Sequence, residues 1–522
     1  MHLRKVRIED TSISYIVGVG LFLVGCCVAL KYYRSEARKL SHIPSVGNQS
    51  TFFGSLNLKF EGRSTLIEGS KLHKGLFKVP ERHSWVVLTG NRSLMEDIRR
   101  APENVLSARR FFEYLLQAPY TFGSQTLRND YHHHLIRGIF TKSIPLLITD
   151  IHVELKEAFD ELIPLSEEWS PLHLSNGPAM QLVGRAINRS FVGEPLCRNL
   201  EYIASNVACA TDVMKTAVLL RRLPLFLKPL VGFFVSNLPE LLEKNKEFTV
   251  PIIQERRQAM QEKGSEYEGK PSDFLSWLME IAEGNDAKDE ELAVRILLLN
   301  LAASHTTSRT FVHVVYHLAA NPRFQELLRT EVDEIVERDG WTKSALDDMV
   351  IVDSFIKECL RLHPGGHTAI PRIALQDFTF SNGQTIPKGT TVCASIHATH
   401  LDEEIYPDPY KFDPLRFVNM AAKEDQHDDV GGKYHGRNRY DITSTNLDAL
   451  VFGYGKHACP GRFFAAAVIK LMVAHVVTHY DVKFEKEGVR PSDISCGLKL
   501  TPNPSVPVFF RKRRQGAKEV SS

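Results

Sequence analysis

No C-x-x-C pair occurs among the eight cysteines, Cys26, Cys27, Cys197, Cys209, Cys359, Cys393, Cys459 and Cys496. Their density is also too low for a small disulfide scaffold, so the body reads as reduced and cytosol-facing and a zinc ribbon is excluded. Charge of one sign is missing as well. Lysine and arginine total 64 against 62 aspartate and glutamate, and a net charge of +2 offers no broad surface for a polyanion, so nucleic acid is not an expected partner. No proline-, glycine- or serine-rich linker divides the body after about residue 60, and no internal repeat and no nucleotide or flavin motif stands out. With 522 residues, 43% of them hydrophobic, the chain has material for one oversized domain.

The one long uncharged run is at the amino terminus. Residues Thr11 to Leu30, TSISYIVGVGLFLVGCCVAL, are long enough as a helix for a bilayer core of roughly 30 Å. A cleaved signal peptide fits less well, because Lys31, Tyr32, Tyr33 and Arg34 follow in place of a small-residue cleavage site. Basic residues on both flanks (Arg4, Lys5 and Arg7; Lys31, Arg34, Arg38 and Lys39) give only a slight bias toward a cytosolic body. In SHIPSVG, Ser41 to Gly47, the proline and glycine would end the membrane helix and act as a hinge. The expected division is a tail over 1–10, an anchor over 11–30, a linker over 31–55, a catalytic domain over 56–510 and a basic tail over 511–522. Sequons at Asn48, Asn91 and Asn188 read as chance matches in a cytosolic protein.

The body is expected to be mainly α with a small β region. WVVLTG (Trp85 to Gly90) and Phe378 to Ile396 read as strands, the second with an Asn382-Gly383 hairpin turn. Glu290 to Ala320 and Asn321 to Arg338 carry helical apolar spacing, broken at Asn321-Pro322. The leucine- and phenylalanine-rich stretch from Val213 to Leu242 reads as a pair of core helices, with a membrane-dipping surface as the alternative. The polar run Ala421 to Asn446 reads as a long surface loop.

Three short stretches carry chemistry. FGYGKHACPGR, Phe452 to Arg462, sets Cys459 in a glycine-rich loop whose amides can approach the sulfur, before a helical run from Phe463 to Val477. KECLRLHP places Glu358 and Arg361 three apart on one helical face, and KFDPLRF supplies Arg416. In LAASHTTS, Leu301 to Ser308, small Ala302 and Ala303 leave room beside the backbone, and the Thr306 hydroxyl can reach back to the Ala302 carbonyl. Alone, each has a plain reading: an inert cysteine, an exposed ion pair, a small-residue helix contact.

Together and in this order they resemble the cytochrome P450 family. The resemblance implies the cytochrome P450 fold, with Cys459 as the axial thiolate ligand of haem iron and Phe452 in the haem-binding loop. It also implies Arg137, Arg372 and His457 on the haem propionates, with Glu358, Arg361 and Arg416 as a structural triad. Thr306 is then expected to manage oxygen and protons, aided by His305, which stands where the family often has an acid. Phe111, Phe112, Phe122, Leu298, Leu301 and Ile370 are candidates for the substrate pocket. The histidines His132 to His134 are expected at the surface or haem edge. Within the family the chain looks most like fungal microsomal oxidases of terpenoids and other secondary metabolites, including the ent-kaurene oxidase type.

The implied activity is a haem-thiolate monooxygenase of the endoplasmic reticulum membrane, its catalytic domain facing the cytosol. It would act on an apolar small molecule with NADPH electrons from a separate reductase, and with cytochrome b5 as a second donor. Two rivals stand beside it: an isomerase or dehydratase of the same fold that needs no reductase, and a non-catalytic haem- or sterol-binding membrane protein.

Overall fold

The computed structural model of the chain describes residues 38–47, 51–81, 84–264, 267–427 and 439–514. The expected anchor over 11–30 and the sequon at Asn48 lie outside them.

Among the described residues, beside a long helix at Thr51–Leu72, the body is built on α1 (Thr141–Leu162), α2 (Pro178–Phe191), α3 (Leu200–Leu220), α4 (Leu238–Lys263), α5 (Asp289–Ala320), α6 (Pro322–Asp339), α7 (Val350–Leu362) and α8 (Arg462–His479). Their boundaries follow local chemistry. Asp289, Glu290 and Glu291 put negative charge on the positive end of α5. The α5–α6 break falls where the sequence places it, because the Asn321 side chain accepts from the Arg323 amide at 3.1 Å and Pro322 opens the next helix. Buried Glu331 on α6 accepts from the first amides of α7, Ile351 at 2.7 Å and Val352 at 2.8 Å, and so fixes how these two helices meet. α5 packs against α2, α3, α4, α7 and α8. Its second half, from Phe311 to Ala319, is wholly buried in the main apolar cluster with Phe355 of α7 and Leu471 to Val477 of α8. Each large apolar side chain in such a cluster contributes roughly 1.5–3 kcal/mol.

A five-stranded sheet lies beside the helices. Its strands are β1 (Leu76–Glu81), β2 (Ser84–Thr89), β3 (Leu106–Ser107), β4 (Thr368–Ala374) and β5 (Thr391–Ser395), in the order β1-β2-β5-β4-β3. β2 and β5 run parallel, with Val86 opposite Thr391, and the other pairs are antiparallel. The expected hairpin is present, with Phe378–Thr379 paired to Thr385–Ile386 and Gly383 at φ +81° in the turn. A separate hairpin, β6 (Ile494–Cys496) and β7 (Lys499–Thr501), reaches the loop after α7, where Gly366 bridges to Lys499.

Several expectations change. Ser41 to Gly47 is pinned rather than loose: Ser45 bridges to Lys78 of β1, the Lys78 amide donates to the Pro44 carbonyl at 2.8 Å, and Ile43 is buried. The tail expected from residue 511 begins inside the fold. Strand Val508–Lys512 is the middle of a three-stranded sheet, and Arg513 holds Asp333 at 2.7 Å. The start of the polar run, after Ala421, continues helix Arg416–His427, and 428–438 lie outside the described residues. The stretch from Val213 to Leu242 is core only at its ends. Val213, Ala217, Leu220 and Leu238 are buried, whereas Leu225, Phe226, Leu230, Phe233 and Phe234 are 58–81% exposed around the short helix Lys228–Val235. One side of this helix packs through Lys228 and Gly232, with Lys228 donating to Gln117 at 2.9 Å, and the leucine and phenylalanine side chains face outward, which composition alone cannot show. Of the two sequons among the described residues, Asn91 caps a helix through the Ser93 and Leu94 amides, and Asn188 is buried.

Candidate functional site

The loop ahead of α8 is built around Cys459. Gly453 and Gly455 both have φ +74°, a backbone region nearly closed to other residues. A Cβ on Gly455 would sit 2.6 Å from Cγ of Arg99, so only glycine lets the loop lie against that side chain. The Cys459 amide donates to the Phe452 carbonyl at 2.7 Å, which closes the turn. Burial pushes the thiol above its usual range, while the amides of Gly461 and Arg462 and the charges of Arg462 and Arg137 pull it down. The start of α8 just beyond adds its positive end to the same atom. Arg462 fastens the loop from outside, donating to the Cys459 carbonyl at 2.9 Å and the Thr443 carbonyl at 3.0 Å.

On α7, Glu358 is fully buried between two arginines. Arg361 meets it with two bonds, 2.7 and 2.8 Å, and Arg416 with one at 3.0 Å. The remaining guanidinium nitrogens are also used: Arg361 donates to the carbonyls of His400 (2.6 Å) and Pro409 (2.7 Å), and Arg416 to that of Pro407 (2.6 Å). The triad therefore ties α7 to the irregular chain from 400 to 416. It is a buried pair with its hydrogen-bonding satisfied, not an exposed bridge.

The middle of α5 has an open face. Ala302 and Thr306 are exposed while Leu298, Leu299, Ser304 and Thr307 are buried around them. As expected, the Thr306 hydroxyl donates back to the Ala302 carbonyl at 3.0 Å. His305 turns to a different side and lines a small cavity with Met180, Asn188, Asn206 and Asn300. Burial holds its imidazole below the ordinary value, and the charges of Arg309 and Lys499 add to that effect. It is therefore neutral near pH 7.

The basic residues expected at the haem edge are near one another. Arg137 is exposed and donates to the Lys456 carbonyl at 2.7 Å. His457 and Arg372, expected on a propionate, gather about a carboxylate that the sequence did not flag: His457 Nε2 is 3.2 Å from Glu103, and Arg372 acts on Glu103 through its charge. Burial opposes the charge of Glu103, but bonds from His457, Ser107 and the Arg109 and Ala108 amides outweigh this and hold its carboxyl at about 2. The pocket candidates divide. Phe122 and Leu301 pack in one cluster with Leu116, Val213 and Leu297. Ile370 packs instead with the sheet cluster, at φ +43° where β4 bulges, a costly conformation for a β-branched side chain. Leu298 is buried, and Phe111 packs edge-on to Phe112, which is 45% exposed. Of the three histidines expected at the surface or haem edge, His134 is exposed, whereas His132 is buried and accepts from Arg295 at 2.8 Å.

A family profile described as Cytochrome P450 matches residues 186–508. The chain belongs to the cytochrome P450 family. It is 36% identical over 505 residues to Cytochrome P450 monooxygenase 151 of Postia placenta, covering 96% of this chain and 99% of that one. To Cytochrome P450 monooxygenase paxP of Penicillium paxilli it is 32% identical over 523 residues, with 97% and 96% covered. Its fold matches a solved cytochrome P450, the retinoic acid-bound cyanobacterial CYP120A1. The TM-score is 0.65 at 18% identity, over 90% of this chain and 99% of that one. This P450 is thus an oxidoreductase of the monooxygenase class with a haem-thiolate cofactor. The residues fit that group: a loop thiol with two amides and two cations acting on it, and an open alanine-threonine face on the long helix.

Proposed function

We propose that this P450 oxidises an apolar small molecule of a secondary-metabolite pathway, with a terpenoid as first candidate, using electrons from a separate NADPH-dependent reductase. The observation that carries the reading is the setting of Cys459, a buried thiol held in a glycine turn with the Gly461 and Arg462 amides and the Arg462 and Arg137 cations directed at it; burial outweighs them and keeps the thiol protonated, and a metal ion at the sulfur would reverse that balance. Cys459 would hold the iron, and Arg137, Arg372 and His457 the propionates, with the Phe452 carbonyl fixing the loop. When bound, the haem supplies dioxygen activation and the transfer of one oxygen atom to carbon.

The chain's own residues do the rest. The Gly461 and Arg462 amides offset part of the burial cost of charge on the sulfur of Cys459 and would tune it as a ligand. Ala302 leaves space beside the backbone for a flat ring. The Thr306 hydroxyl, parked on the Ala302 carbonyl, rotates to donate a proton toward that space, and neutral His305 would pass protons from the cavity it lines with Asn188, Asn206 and Asn300 on another side of α5. Glu358, Arg361 and Arg416 fix the chain leading to the cysteine loop. Phe122 and Leu301, with Phe111, Phe112, Leu298 and Ile370, supply apolar walls that exclude water.

The proposed location is the endoplasmic reticulum membrane, with the body on the cytosolic side. The run over 11–30 supports it, and so does the exposed apolar turn from Leu225 to Phe234, which adjoins the cluster containing Leu238, Phe122 and Leu301. Substrate would enter from lipid at this point. Arg137 and Lys456, exposed at the cysteine loop, offer positive charge to an acidic electron donor such as a reductase or cytochrome b5.

The test is reconstitution of the full chain with a cytochrome P450 reductase, NADPH and a panel of terpenoids, reading products by mass. The proposal expects reductase- and NADPH-dependent products that carry one added oxygen. Products formed without NADPH would favour an isomerase or dehydratase. Haem binding with no NADPH use on any ligand would favour a carrier. Either result overturns the reading.

A further inference from the structure

Arg309 stands on α5 three residues after Thr306 and four after His305, so its direction around the helix falls between theirs. The loop after α7 is shaped around its guanidinium. Gly365 has φ +77°, and a Cβ there would fall 1.9 Å from Nη2 and 2.2 Å from Cζ of Arg309. Any side chain at 365 would displace the cation.

Many of the other deeply placed arginines of the fold meet carboxylates, Arg185 with Glu154, Arg256 with Asp273, Arg295 with Asp286, Arg329 with Asp481, Arg361 and Arg416 with Glu358, whereas buried Arg372 bonds the Pro371 carbonyl and feels Glu103 through its charge. Among the described residues, Arg309 makes no hydrogen bond or ion pair, and burial alone lowers its affinity for the proton. Its charged surroundings are positive or neutral. His305 and His313 flank it on α5, and Lys499 of β7 acts on the same His305. The carboxylate beside His313, Asp493, is already taken up by Arg490 at 2.8 Å and His363 at 2.5 Å.

A half-buried guanidinium without a counter-ion is costly to keep, and its planar fork matches a carboxylate in two-bond geometry. We propose that Arg309 anchors a carboxylate on the substrate, so that the preferred ligand of this P450 is an apolar acid. The inference deepens the functional reading above and rests on it. The acid seats one turn beyond Thr306, between α5 and the Gly365 loop, and the apolar skeleton lies along the Ala302–Thr306 face. Oxidation then falls at a carbon remote from the acid.

The test uses the full-length holoenzyme near neutral pH and calorimetric titration with two matched pairs: abietic acid against methyl abietate, and lauric acid against methyl laurate. The wild type is expected to bind at least one acid about tenfold more tightly than its ester. Arg309→Met should remove the preference without weakening the ester, and Arg309→Lys should retain part of it. If Arg309→Met does not fold, as judged by its thermal melt, Arg309→Gln is read the same way. Equal binding of acid and ester in both wild-type pairs overturns the proposal, as does a preference that survives in Arg309→Met. A fall in haem content in Arg309→Met also overturns it, by assigning the cation to the cofactor. The carbon monoxide spectrum of the wild type reads the monooxygenase assignment separately, because calorimetry reports acid binding whether or not that band is present.

Discussion

The Thr306 hydroxyl and the Cys459 thiol do different work, and substitutions separate them. Thr306→Ala keeps the helix, because alanine is the better helix former, and removes only the hydroxyl that bonds the Ala302 carbonyl. Product formation should fall by about 100-fold while NADPH consumption continues, measured by running both assays on one sample. Unchanged product yield would remove Thr306 from proton handling. These positions, with Glu358, Arg361 and Arg416, were legible in the sequence because their chemistry is local: a turn of helix, a glycine loop, a fixed spacing. Glu103 and Arg309 were not. Glu103 matters because folding brings it to His457, and Arg309 because folding brings it no acid. Both facts are long-range, and no pattern around either residue encodes them.

At the scale of elements, the long helices and the paired strands were readable because apolar periodicity and cap residues agree, as at Asn321-Pro322. For the turn from Leu225 to Phe234, composition alone favours core over a membrane-dipping surface, and the structure exposes it. Its neighbours decide its exposure, and they leave Phe233 81% exposed. The double substitution Phe233→Ser and Phe234→Ser should weaken binding to phosphatidylcholine vesicles, measured by flotation. It should shift stability by no more than about 0.5 kcal/mol, as surface changes do. A large loss of stability with vesicle binding intact would return this turn to the core. α7 behaves oppositely. Glu358→Gln leaves Arg361 and Arg416 buried without their anion, at a cost of about 3–5 kcal/mol. The expected outcome is a protein recovered mostly unfolded, read by far-ultraviolet circular dichroism.

Across the whole molecule, buried imidazoles link stability to pH. His313, His317, His363 and His397 are held well below the usual value and His400 at about 3, in each case chiefly by burial. In the native state they stay neutral, whereas in the unfolded chain they take up protons below about 6.5. The unfolded state then binds more protons, so stability falls as pH falls, by about 1.4 kcal/mol per group for each unit below that value. Urea midpoints should drop steeply between about pH 7 and pH 5, and more gently in His313→Asn. A midpoint flat over that range would mean the imidazoles are charged where they sit.

The central claim is that the sulfur of Cys459 is the ligand of the haem iron. The most direct measurement is the carbon monoxide difference spectrum of the reduced wild type beside Cys459→Ser, with haem content determined for both. The account predicts a thiolate-type band in the wild type and its loss in the serine variant. The same band at the same intensity in Cys459→Ser would contradict it.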